Sequence, residues 1–75
     1  MEEIHIVIAE TLGVNGEFST EVYPHRNEDD AHKEACELIA DMAKMMMMEV
    51  DPEKEWELKG EGWFYRVKIF SRNIF

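Results

Sequence analysis

Cysteine is nearly absent. Cys36 is the only one, so no internal disulfide can form and the fold must hold by packing alone, which suits a reducing compartment. Positive charge is also scarce, with eight Lys and Arg against seventeen Asp and Glu and a formal net charge of −9. A surface this acidic repels nucleic acid and anionic lipid, which excludes both as direct partners and favours a basic protein. The opening Met1-Glu2-Glu3 has no basic region, and no long apolar run follows it. The sequence therefore predicts no signal peptide, no membrane span and a cytoplasmic location. Phosphate-binding loops, glycine fingerprints and paired-cysteine zinc motifs are missing too. With only 75 residues there is little room for a deep pocket, so the chain is expected to be a single non-enzymatic domain, 1–75, with no cofactor.

What is present is a change of hydrophobic period. Ile4, Ile6 and Ile8 alternate with His5, Val7 and Ala9, and Phe18, Thr20 and Val22 alternate with Glu17, Ser19 and Glu21. Residues 28–49 switch to helical spacing. Trp56 and Leu58, then Trp63, Tyr65, Val67 and Ile69, return to a period of two. The pattern is ββαββ, an α+β fold with one helix on one face of a four-stranded, mostly antiparallel sheet. The strand order 2-1-4-3, with the first and last strands central, resembles the β-grasp arrangement. The isoleucines and the aromatics of the last strands are expected to face the helix. His5, Val7, Ala9, Tyr23, Phe64, Arg66, Lys68 and Phe70 are then left on the outer face.

The turns set the pairing. Val14-Asn15-Gly16 predicts a three-residue loop with Gly16 left-handed, which places Leu12 opposite Phe18 and Ile8 opposite Val22. Gly60-Glu61 predicts a two-residue loop that puts Leu58 opposite Trp63 and Glu55 opposite Arg66. Asn27 reads as the helix N-cap, with Glu28, Asp29 and Asp30 in the first turn. Ala31, Ala35, Leu38, Ile39, Met42, Met45 and Met46 form the stripe expected to pack on the sheet.

Three sets of residues remain for function. Asp30, Glu34, Glu37 and Asp41 on the helix, with Glu49, Asp51, Glu53, Glu55 and Glu57 beyond it, are the candidate acidic binding surface. Met47, Met48, Phe64, Phe70 and Phe75 are the candidate apolar contacts. The tail from Ser71 to Phe75 either folds over Phe64 and Phe70 or leaves them to another chain. His32 and Cys36, four apart on the helix near Asp29, have the spacing of a metal-ligand pair, but no further ligand closes the set, so no metal site is expected. The run Met45–Met48 cannot converge on a soft metal, because a helix fans consecutive side chains around its axis.

The segments Asn27-Glu28-Asp29-Asp30-Ala31, Glu55-Trp56-Glu57-Leu58 and Trp63-Phe64-Tyr65-Arg66-Val67-Lys68-Ile69 resemble small acidic ββαββ proteins of bacterial phages and mobile elements. Such chains are similar in size and charge to anti-CRISPR and other anti-defence proteins. The resemblance implies inhibition by binding and assigns no individual residue. The expected function is thus a protein-interaction module, an acidic inhibitor docking on a basic, nucleic-acid-binding protein surface. The alternatives are a self-associating structural protein, such as a homodimer, or a metal-binding protein.

Overall fold

The computed structural model describes residues 2–74. Its elements are β1 (Glu2–Leu12), β2 (Phe18–His25), α1 (Glu28–Met45), β3 (Glu57–Gly60) and β4 (Trp63–Ile74). The four strands form one sheet in the order β2-β1-β4-β3, so the ββαββ layout and the 2-1-4-3 order are as expected. All three pairings are antiparallel. No parallel crossover exists among them, and the likeness to the β-grasp arrangement stops at the strand order.

The first hairpin has the expected register. The Gly13 N–H donates to the Glu17 carbonyl at 2.8 Å, Gly16 takes φ +86°, and Leu12 and Ile8 lie opposite Phe18 and Val22. The second hairpin differs. Its turn is Glu61-Gly62, with Gly62 at φ +79°, so Leu58 meets Tyr65 and Glu57, rather than Glu55, meets Arg66. Gly60 serves another end: the Trp63 indole lies against it, and a Cβ there would come within 2.1 Å of Trp63 Nε1. This register change displaces the strand pairing by two residues. A displacement of two keeps every side chain on its face, so Leu58, Tyr65 and Val67 still point at the helix.

β1 is turned over relative to expectation. His5, Val7 and Ala9 are the buried residues beneath α1, while Ile4, Ile6 and Ile8 lie half-buried on the opposite face. The β1–β4 register explains it. Val7 pairs with Ile69 and Ala9 with Val67, and residues directly opposite in an antiparallel pair share a face. The helix explains why that register packs well. α1 presents Ala31, Ala35, Ile39 and Ala43 to the sheet, so it approaches closely and is met by small partners in Val7 and Ala9. Three isoleucines would overfill that space. β2 turns over with β1, leaving Phe18 and Val22 55% and 56% exposed while Tyr23 packs at the core margin.

α1 begins as its sequence dictates. Asn27 Oδ1 accepts from the backbone N–H of Asp29 at 2.7 Å and of Asp30 at 3.4 Å, and the three acids of the first turn complement the helix dipole. It ends at Met45, before the predicted residue 49. Met47 adopts φ +57°, its N–H donates to the Lys44 carbonyl at 3.2 Å, and the Met48 N–H donates to Ala43 at 2.8 Å. This is a Schellman ending with methionine where glycine is usual. It turns the chain early, so Met45 and Met46 are exposed rather than part of the packing stripe, and Met48 packs against the core instead.

Candidate functional site

Two surfaces among the described residues bear most on function. One is the sheet face away from α1. Leu12 sits between Phe18 and Phe64, whose rings meet edge-on with centroids 6.4 Å apart. Ile8 sits between Val22 and Lys68, Ile6 between Pro24 and Phe70, and Ile4 beside Arg72. Ladder geometry places all of these on one side of the sheet. Between the two apolar ends runs a belt of charge. Arg66 Nε donates to Glu10 Oε1 at 2.8 Å, Lys68 Nζ lies 3.5 Å from the same oxygen, and the Arg66 guanidinium sits 4.8 Å over the Phe64 ring. The hydrogen bond from Arg66 is the main reason the Glu10 carboxyl is held below its ordinary value.

The described part of the tail, Ser71 to Ile74, does not cover this face. Residues through Ile74 extend β4 along β1, so they cannot fold back over Phe64 and Phe70, and Phe70 remains 53% exposed. Phe75 lies outside the described residues. Of the other expected apolar contacts, Met47 stands almost wholly in solvent and Met48 is partly taken up by the core. The sequence reading missed Ile4, Ile6, Ile8, Leu12, Phe18 and Val22 as surface residues. The signal was Phe64 and Phe70, whose parity on β4 already marked a second apolar face.

The second surface is the outer side of α1 and the connection that follows it. Asp30, Glu34 and Glu37 line one open cleft with Lys33 and with His25, whose Nε2 lies 2.7 Å from Glu34 Oε1. Glu37 also lines the neighbouring cleft, which Asp29, His32, Cys36 and Glu53 share. These acids therefore form one patch across the helix. Asp41, Glu49, Asp51 and Glu55 are exposed along its continuation. Glu57 does not join them, because it alternates with buried Leu58 and faces the open side of the sheet, opposite Arg66. Tyr23, at the β2 edge, donates its hydroxyl to Glu21, and that bond is the first cause of its pKa rising to about 12.

The structure also completes a set that the sequence left open. Glu53, from the connection, comes to His32 and Cys36 so that one donor atom of each lies within 4.8 Å of the others. Burial, then the Glu53 charge, pushes the Cys36 thiol up. At the foot of the helix His5, expected on the outer face, is buried with Nδ1 2.7 Å from Ser71 Oγ and Nε2 3.1 Å from Glu3 Oε1. Compared with known proteins, the chain matches no family model, no curated protein and no solved structure at a significant level. No helix among the described residues is long and apolar enough to cross a membrane.

Proposed function

We propose that the protein is a non-enzymatic interaction module whose open sheet face associates with a second copy of the chain. The observation that carries this reading is the row of Ile4, Ile6, Ile8, Phe18, Val22 and Phe70 left without cover while the helix occupies the other side. Exposed apolar clusters of this kind, here two flanking a charged belt, mark an interaction site in a small domain. The chain's longer extents, 43 and 25 Å, bound a face on the order of the 800 Å² that each partner of a standard interface buries. The face also carries both signs, Glu10 and Glu57 beside Arg66 and Lys68, so a two-fold copy meets it without a net clash of like charge. Light scattering across a dilution series tests this. A dimer that dissociates on dilution, and that is lost in Ile8→Glu with circular dichroism retained, supports it. A monomer at the highest soluble concentration sinks it.

A second reading concerns the acidic side, which such a dimer leaves outward. The shared lining of the two clefts by Glu37, with Asp30 and Glu34 on one flank and Asp29 and Glu53 on the other, supports docking on a basic protein groove as an inhibitor. Bound basic nucleic-acid-binding proteins should then be released by duplex DNA and by raised salt, and should not bind a Glu34→Gln, Glu37→Gln, Asp41→Asn variant. Capture indifferent to salt and to these substitutions counts against it.

A further inference from the structure

We propose that His32, Cys36 and Glu53 form an intrachain site for a divalent ion of the zinc class. His32 and Cys36 stand one helical turn apart on α1, and His32 Nδ1 is 3.7 Å from Cys36 Sγ. Tetrahedral zinc with ordinary bonds to imidazole nitrogen and thiolate sulfur sets those two atoms about 3.6 Å apart. The pair is therefore already at bridging distance. Glu53 supplies a carboxylate oxygen from a different element, and the three donor atoms lie within 4.8 Å of one another. Nitrogen, sulfur and oxygen donors together suit zinc rather than calcium or magnesium, which take oxygen alone.

The site is held from both sides. Asp51 Oδ1 accepts from the Glu53 N–H at 3.0 Å, and the Asp51 carbonyl accepts from the Glu55 N–H at 2.8 Å, which fixes the turn that carries Glu53. Trp56 then ties that turn to the helix. Its Nε1–H donates to the Pro52 carbonyl at 2.8 Å, while its ring lies 5.4 Å from the His32 ring. Such support orients ligands before the ion arrives. The donors open on a cleft of about 400 Å³ that Asp29, Glu37 and Lys33 also line, two carboxylates to one ammonium among the described residues. The local charge thus favours a cation, and the open cleft leaves a fourth position for water. On loading, the Cys36 S–H bond breaks, its proton passes to solvent, and the sulfur–metal bond forms with no change of oxidation state. The bound ion is neutralised by one thiolate and one carboxylate.

Cobalt(II) is the probe, added to the reduced chain and followed by absorbance and native mass spectrometry. The expected result is one ion per chain with a thiolate-to-cobalt charge-transfer band. Cys36→Ser should abolish the band. His32→Ala and Glu53→Gln should weaken binding at least as much as losing an outer partner does, about 10–100-fold. Glu53 is exposed, so Glu53→Gln keeps the fold and remains informative if a helix variant does not. No uptake, half an ion per chain, or uptake unchanged in Cys36→Ser and Glu53→Gln overturns the proposal.

Discussion

The two faces of this sheet are built from the same strands yet solve different problems. Under α1 the strand β1 contributes small side chains, Val7 and Ala9, to a layer with Ala31, Ala35 and Ala43, while Ile39, Leu58, Tyr65 and Val67 fill the rest and Trp56, Trp63 and Ile69 pack at the margin. On the open face β1 carries the bulkier Ile4, Ile6, Ile8 and Leu12, set among charged neighbours, yet nothing among the described residues covers them. The contrast teaches that hydrophobicity alone does not choose the buried side. A helix that offers alanines comes close, and closeness selects small residues from the strand below. The bulkier set is then free for a partner that does not need to approach a helix axis.

That contrast can be broken by experiment. The largest effect should come from Ile39→Ala, which empties a fully buried site and should cost about 2–5 kcal/mol in denaturant unfolding. Ile6→Ala, on the half-buried open face, should cost less in dilute solution, and the proposed association predicts that the difference shrinks as concentration rises. Equal losses at every concentration would erase the distinction between the faces. Next is Ala35→Leu, which overpacks the close helix approach and should cost about 1–3 kcal/mol, whereas a neutral result would mean the layer is looser than its burial implies.

Met47→Gly works in the other direction. Met47 is 94% exposed and left-handed, so relieving its Cβ strain should stabilise the fold by about 1 kcal/mol in the same unfolding assay. The smallest effects are titrations. Glu10 has a depressed folded pKa, so its contribution is present above the ordinary value of 4.5 and is lost as pH falls through the folded value. Glu10→Gln should flatten the stability profile in that acid window by lowering stability near neutrality while leaving the acid limit unchanged. Tyr23 has a raised folded pKa, so its protonated hydroxyl supports the fold fully below 10 and that support fades as pH rises through about 12. Ultraviolet titration of Tyr23→Phe should remove the last phenolate to form.

Element types and strand order were legible because they rest on period, and period needs no partner. Asn27, Gly16 and the Leu12–Phe18 register were legible because each is a local device with its own geometry. The face of β1 was not. Ile4, Ile6, Ile8 and His5, Val7, Ala9 are both passable apolar rows, and only the long-range pairing of β1 with β4 decides between them. The second turn was misread because two glycines flank Glu61, and Gly60 is needed for the approach of Trp63 rather than for its own φ. At the candidate metal site, His32 and Cys36 were visible from helical spacing. Glu53 was not, because its arrival depends on the Asp51 turn and the Trp56 hydrogen bond to Pro52, which no local pattern announces.

The pairing of Glu2 with Ile74 has a mechanical consequence. β1 and β4 are neighbours in opposite directions, so handles fixed at these two positions pull on adjacent points of one ladder. Tension then peels the rungs in succession instead of loading them together. Stretched from there, the molecule should yield at low force, from the end beneath the helix start towards the Leu12–Phe64 pair, however firmly its centre resists chemical denaturant.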